Sequence, residues 1–513
     1  MRMLLPFLLA SIPLLPLLAG LLARGRTPAF AGRLTGAAAA LSFIIAATAA
    51  ALLVAGGPFT LRWTPFGADA ALAFTLRLDA VSALMVVLVS FLGAVVLRFS
   101  RHYLGGDPRQ SRFFSWMSLT LGSVLTFVLS GHLLLLLLAW VTTSLCLHRL
   151  LLHYPGRVGA IFSARKKFVV SRLADMSLLT AAILIYRTYG TWDFESLFAA
   201  VAAGQTAGLP LIGFFLAGCA VMKSAQFPFH SWLPDTMETP TPVSAFMHAG
   251  IINGGGFLLV RLSPLLAEAP GAMNVLALVG AFTAAFAAIV MLAQPSVKRA
   301  LAYSTIAQMG FMILQCGLGA YGLALLHIVA HSLYKAHAFL TAGSTIGAVP
   351  RAAIPLQTRA LTLGVLTGGL LVVGGATALH AFTPGAPLHL GVFALVLALA
   401  LAYGLARTWS TGVGITTAVR GVVVASIISL ASLGLHAGAS ALFTHLPVVT
   451  PSKLLLTLVG AIFTALFFFQ ALLWRAGHYD LGRRLYVHAL NGFYVGTYAN
   501  RLLGWLWPRH ITT

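Results

Sequence analysis

Lys223 ends a long apolar run and opens the string KSAQFPFHSWLPDTMETPTPVSAFMHA, with prolines at 228, 234, 240 and 242 and His248 in the next apolar segment. An ammonium facing hydrocarbon is costly unless protein or water surrounds it, so a lysine here marks a functional site by default. Prolines just beyond it break the helix and free backbone carbonyls. Such a break at membrane depth is tolerated only where protein or a wet cavity covers it. A second cluster repeats the theme: His327, His331 and Lys335 are spaced i, i+4, i+8 in another apolar segment. At about 100° per residue they form one stripe on one helix face. Lysine and histidine in a low-dielectric interior lose and regain protons as neighbouring charges change, so the chemistry these groups suit is proton transfer through water.

The elements that must position them are membrane spans. The chain has 59% hydrophobic and 8% charged residues and a mean hydropathy of +0.94, which excludes a soluble domain and indicates an all-α polytopic membrane protein in a lipid bilayer. Fifteen apolar runs are expected to span, near 3–23, 34–56, 78–97, 113–130, 132–152, 168–186, 208–227, 241–261, 273–294, 301–319, 321–346, 361–380, 388–406, 415–438 and 454–474. Each approaches the about 20 residues that cross a core about 30 Å thick. The first run reads as a span and not as a cleaved signal, because no small-residue cleavage site separates it from the basic loop that follows.

The formal charge of +22 invites a nucleic-acid reading, but the basic residues sit in short loops. Arg24, Arg26 and Arg33 follow the first span, Arg98, Arg101, Arg109 and Arg112 the third, Arg157, Arg165, Lys166 and Lys167 the fifth, and Lys298 and Arg299 the ninth; the loop after the sixth holds Asp193 and Glu195. By the positive-inside rule the odd-numbered loops are cytoplasmic, the N-terminus is outside, and Lys166 and Lys167 are solvated charges. Cys146, Cys219 and Cys316 show no CxxC, haem or zinc spacing, and His132, His148 and His153 no metal spacing, so no redox or metal cofactor is expected in this chain. Nucleotide-binding glycine patterns are missing as well, and Gly254, Gly255 and Gly256 suit close helix packing.

Five regions are expected: N-terminal spans at 1–112, a five-helix block at 113–261, a second at 262–409, C-terminal spans at 410–475 and an amphipathic tail at 476–513. Each block contains one lysine cluster, as in transporters built from two inverted repeats, although the second has no clear copy of the lysine-then-proline pattern. The tail mixes Tyr479, Tyr486, Phe493, Tyr494, Tyr498, Trp505 and Trp507 with Arg483, Arg484 and Arg501. It is too polar to span, and it suits either a bilayer interface or a protein partner docked on Arg483, Arg484 and Tyr486.

Each titratable group also has a plain structural reading. Lys223 near its span end allows snorkelling, His248 alone reads as a satisfied core histidine, and the stripe reads as interhelical hydrogen-bond glue. Three ionisable groups on one face exceed what packing needs, which favours a wet, protonatable path. Asp79, Asp235 and Glu238 lie at span ends or in the loop after the break, where capping or loop ordering is the expected role.

The Lys223 string, together with VKRALAYSTIAQMGFM at 297–312 and HIVAHSLYKAHAFLTAGS at 327–344, resembles the antiporter-like subunits of respiratory complex I and of Mrp-type cation antiporters. LRLDAVSALM around Asp79 and RLAD at 172–175 fit the same pattern, and the similarity covers roughly residues 75–345. The resemblance implies that Lys223 is the lysine at a broken seventh helix, His248 the relay group of the eighth, and His327, His331 and Lys335 the titratable stripe leading onward. Pro228, Asp235 and Glu238 would be structural members of the motif. The family's fifth-helix glutamate, in a Gly-Trp-Glu context, is replaced by Ala139, Trp140 and Val141, and residues 361–410 hold no lysine or carboxylate. Asp175 then has two open roles, an i, i+3 ion pair with Arg172 or the counter-charge to Lys223. These losses, in a chain of 513 residues, most resemble the membrane subunits of DAB-type inorganic-carbon accumulation complexes. That resemblance implies a proton- or Na⁺-conducting subunit of a bacterial inner-membrane complex, with catalysis and zinc in a soluble β-carbonic-anhydrase-like (DabA-type) partner. The alternative is a proton-pumping subunit of a complex I-like or membrane-bound hydrogenase assembly.

Overall fold

Each of the fifteen apolar runs forms helix in the computed structural model, which describes residues 5–64, 74–345, 357–382, 389–410, 414–475 and 480–507. The first helices are α1 (Leu5–Leu22), α2 (Pro28–Gly56), α3 (Ala80–Tyr103), α4 (Gln110–Leu129), α5 (Leu133–Leu151) and the long α6 (Val158–Tyr189). A hairpin of β1 (Phe59–Trp63) and β2 (Phe74–Leu78) pairs Phe59 with Leu78 and Trp63 with Phe74. The middle of the chain holds α7 (Phe194–Ala202), α8 (Leu209–Lys223), α9 (Trp232–Asp235), α10 (Thr241–Ala249), α11 (Gly254–Arg261), α12 (Ser263–Ala267), α13 (Pro270–Ala293), α14 (Val297–Gly317) and α15 (Tyr321–Leu340). After it come α16 (Thr358–Phe382), α17 (His389–Trp409), α18 (Ile415–Leu442), α19 (Lys453–Arg475), α20 (Asp480–Leu490) and α21 (Val495–Leu506).

Among the described residues 13 helical stretches are long and apolar enough to cross a membrane, with Thr241–Arg261 counted as one. The chain is a multi-pass membrane protein. Two expected spans fall outside that set: α8, cut short at Lys223, and the more polar α14. The helix breaks lie in the first five-helix block, at Lys223 and between α10 and α11, whereas α16 and α17 run unbroken.

Side chains repair what the sequence removes from the backbone. Pro16 has no N–H for the carbonyl of Ile12, and Ser42 of α2 donates to it instead at 2.9 Å. In a hydrocarbon core an orphaned carbonyl would otherwise be expensive. Gly280 and Gly310 let α13 and α14 touch backbone to backbone, since a Cβ on either would strike main-chain atoms of the other helix. This is the small-residue packing expected where lipid gives helices no hydrophobic drive to associate.

Loops sort to two ends. At one, Tyr103 meets Thr241 at 3.0 Å, Arg109 donates to the His153 carbonyl at 2.9 Å, and Lys166 pairs with Asp235 at 2.5 Å. At the other, β2 bridges Ser130 and His132 bridges Asp193. The basic odd-numbered loops therefore share one face of the bundle, as the charge pattern predicts.

Candidate ion-translocation site

Helix α8 stops at Lys223 because the next residues cannot continue it. Ala225 takes a left-handed φ of 50°, Gln226 donates back to the carbonyl of Val221 at 2.9 Å, and Pro228 follows with no N–H to give. Gly255 of α11 lies against Ser224 and the Ala220 carbonyl, a contact any side chain would block. The Lys223 ammonium sits 4.1 Å above the centre of the Trp140 ring and makes no hydrogen bond or ion pair with the described residues. Trp140 is almost fully buried, so the cation–π contact forms with little competition from water.

Of the two roles left open for it, Asp175 takes the ion pair with Arg172. It pairs with Arg172 at 2.7 Å and accepts a 2.9 Å hydrogen bond from the Trp140 indole. It therefore reaches Lys223 through the ring that carries the lysine and not by direct contact. Val141, at the position of the family's glutamate, packs against the apolar core. A cavity of about 20 Å³, room for about one water, adjoins Lys223 and is walled by Trp140, Thr143, Phe127 and Gly250 among others.

The loop reading of Lys166 and Lys167 is wrong. Helix α6 starts at Val158, well before the expected 168, so both lysines lie on it and both are buried. Lys166 pairs with Asp235, while Lys167 donates to the Ser144 carbonyl at 2.7 Å and to its hydroxyl at 2.8 Å. The signal was present in the sequence: Lys167, Ser171 and Asp175 are spaced i, i+4, i+8, as the histidine stripe is.

The second cluster gathers on α10, α14 and α15. The Thr305 hydroxyl donates to the Leu301 carbonyl at 3.0 Å, so at 3.0 Å from His248 it accepts from Nδ1–H. That tautomer leaves His248 Nε2 a bare lone pair, with no partner among the described residues. His331 Nε2 faces the His248 carbonyl at 3.2 Å and must donate to it, leaving its own Nδ1 open. These assignments follow from the hydrogen-bond network. Lys335 is fully buried and donates to the same Leu301 carbonyl at 3.0 Å. His327 lies between the side-chain oxygens of Gln315 and Gln308 at 2.9 and 2.8 Å. The three stripe residues do share a face, and exposed His337 points away from it.

The remaining motif residues are structural in their geometry. Asp79 caps α3 in a reciprocal capping box with Ser82, and Arg261, which the sequence did not single out, grips it with two bonds at 2.5 and 3.2 Å. Burial opposes its ionisation, but the Arg261 guanidinium, the Ser82 amide and Arg77 overcome that and hold its carboxyl well below the usual range. Glu238 makes an exposed pair with Arg157 at 3.4 Å, and Pro228 is exposed at the break. In the tail, Arg484 and Tyr486 are exposed on α20, and the side chain of Arg483 lies outside the described residues. Among the described residues no group of three or more His, Cys, Asp or Glu is placed to hold a metal.

Discontinuous helices holding lysine and histidine inside a polytopic bundle define an antiporter-like, ion-translocating membrane subunit. Residues 130–419 match the family described as NADH:quinone oxidoreductase/Mrp antiporter, and residues 63–114 the complex I chain 5 N-terminus. The chain belongs to this antiporter-like family. Within it, the chain is 38% identical over 456 residues to the probable inorganic carbon transporter subunit DabB2 of Halothiobacillus neapolitanus, covering 86% of this chain and 82% of that one. It is 41% identical over 299 residues to the corresponding DabB subunit of Hydrogenovibrio crunogenus, 57% of this chain and 58% of that one. NADH-quinone oxidoreductase subunit L of Mycobacterium tuberculosis is 38% identical over 290 residues, 56% of this chain but 46% of its own. The fold matches a solved Mrp complex chain from Dietzia sp. with TM-score 0.63 and 23% identity, covering 99% of this chain and 60% of that one.

Proposed function

We propose that this chain conducts protons across a bacterial inner membrane as the membrane subunit of an inorganic-carbon uptake complex. Its soluble partner, a zinc-dependent protein resembling β-carbonic anhydrase, would convert carbon dioxide to bicarbonate, and proton flow through this chain would drive that conversion in one direction. The observation that carries the reading is the set of groups inside the bundle able to exchange a proton: half-buried Lys223 over Trp140 with no anionic contact, two buried imidazoles each with one open nitrogen, and buried Lys335. Such groups are costly inside a membrane and have no packing purpose that apolar residues would not serve better.

Protons fit this site better than Na⁺. The Lys223 surroundings offer one carboxylate, Asp175, already bound to Arg172, and the second cluster is built of lysine and histidine. A metal cation there would meet like charge. The two carbon-transporter relatives support the carbon-uptake half of the proposal, and basic loops collected at one end support a cytoplasmic face there with the N-terminus outside.

The test is complementation of an uptake-dependent strain at ambient carbon dioxide. The wild-type chain is expected to restore growth and to co-purify with a large soluble zinc protein. Quinone or hydrogenase subunits in that preparation would instead favour the pump reading, for which the likeness to subunit L speaks.

A further inference from the structure

Lys167 and Lys223 line the same small space. The walls between them are Met222, Trp232, Met247, Ile251 and their neighbours, and the free volume is about 10 Å³, close to the smallest that holds one water. A hydrogen-bonded chain runs beside it. Lys167 donates to Ser144, Arg172 donates to the same hydroxyl at 3.3 Å, Arg172 pairs with Asp175, and Asp175 receives the indole of the Trp140 on which Lys223 rests. The charged or titratable groups facing Lys167 are Lys223 of α8, Arg172 and Asp175 of its own helix, and Cys146 and His148 of α5. Asp175 is the one carboxylate in that set and Arg172 already holds it. Two ammoniums therefore face one small cavity, lined also by Ser171, with no anion of their own, and a charge on one opposes a charge on the other.

We infer that Lys167 is a second proton-carrying lysine, which loads from the basic-loop end of the bundle and exchanges its proton with Lys223 across this shared cavity. This rests on the proton-conduction reading above. In the step, an N–H bond of Lys167 breaks and its electron pair stays on Nζ. The proton passes through one water, and an N–H bond forms on the lone pair of neutral Lys223. No oxidant, reductant or other reactant takes part.

The experiment reads dye-reported proton flux into proteoliposomes holding the whole complex, under an imposed potential, for Lys167→Gln, Lys167→Arg and Lys223→Ala at matched amounts of assembled protein. Glutamine keeps a donor for Ser144 and cannot carry a proton; arginine keeps the charge and does not release it. Both are expected to lose about a hundredfold of flux, the low end for removing a proton-transfer group. The residual flux of the glutamine variant should peak at higher pH than that of the arginine variant, because a fixed guanidinium opposes protonation of Lys223. Should the glutamine variant fail to assemble, the flux of the arginine variant decides alone. Undiminished flux in either Lys167 variant, with Lys223→Ala inactive, overturns this inference and leaves the function standing. Lost flux with coincident pH profiles makes Lys167 a structural donor and also overturns it. Wild-type flux that does not depend on Lys223 overturns both readings.

Discussion

Trp140 stands between a cation and a carboxylate that Arg172 already pairs. With Lys223 on its face and Asp175 on its N–H, the ring lets the lysine feel the negative charge while keeping its own proton exchangeable. Lys223→Ala is therefore expected to abolish carbon-dependent growth while the chain still inserts, and Lys223→Arg to fail equally because a guanidinium does not release its proton. Normal growth of either variant at ambient carbon dioxide would refute the assignment. On α15, His331→Ala and Lys335→Met should each cut proton flux by about a hundredfold or more, and His337→Ala should leave it unchanged because His337 is exposed on the other side. Equal loss at all three positions would point to helix packing. Much of this was legible at residue scale. The spacing of His327, His331 and Lys335 gives a stripe by arithmetic, but the same arithmetic at Lys167, Ser171 and Asp175 was hidden by neighbouring Arg165 and Lys166, which make the segment read as a basic loop.

At the scale of elements, hydrophobic run length located the spans, because burying a helix in lipid demands some twenty apolar residues whatever its neighbours do. Breaks were legible where proline writes them and less so between α10 and α11, where Gly250 and the short turn Ile251–Asn253 interrupt a run apolar throughout. Pairings between elements were not legible: Asp79 and Arg261 are 182 residues apart, and no periodicity joins them. Their contact ties the start of α3 to the end of α11 and so fixes one end of the discontinuous helix. Arg261→Met should lower stability by about 3–5 kcal/mol, since a buried carboxylate loses its main partner, and thermal denaturation in detergent would show it. The sign of the pH dependence follows from the depressed carboxyl of Asp79. Stability from the pair is fully present above the unfolded value, about 3.9 for an aspartate, and is lost only as pH falls further toward the folded one. In Arg261→Met burial is opposed only by Arg77 and the Ser82 amide, so protonation of Asp79 relieves the variant. The melting difference from wild type should therefore shrink as pH falls from about 7 toward about 5, and a constant difference would show that Arg77 and Ser82 alone keep the carboxyl ionised.

Seen whole, the molecule folds its C-terminal tail back over its own broken helix. Gln294 of α13 donates to the Leu490 carbonyl at 3.1 Å, Phe493 lies 5.7 Å from Phe286, and Trp507 stacks under Arg165 of α6 at 4.8 Å. Sequence showed an amphipathic aromatic tail but not this return, because its few buried residues, among them Ala489, Gly492 and Leu503, are spread thinly over two helices. The outer face stays open: Tyr486, Tyr498, Leu502 and Trp505 are exposed beside Arg484 and Arg501, an aromatic and arginine mixture that suits protein contact. Between α21 and the segment after the break lies a cleft of about 730 Å³ lined by Asp235, Glu238, Arg299, Asn500 and Arg501 among others. A partner seated there would touch the tail, the acidic end of the break and the helix that carries Lys167 at once, so movement in any of them would be felt at the interface. Truncation after residue 477 is therefore expected to leave the chain inserted but free of its soluble partner on co-purification from detergent. The paired substitution Arg484→Glu with Arg501→Glu, on exposed positions that do not hold the tail in place, should weaken the association in the same direction while α20 and α21 stay folded. Undiminished co-purification of the truncated chain would instead make the tail an interfacial anchor in the lipid headgroups and move the docking site to the basic loops.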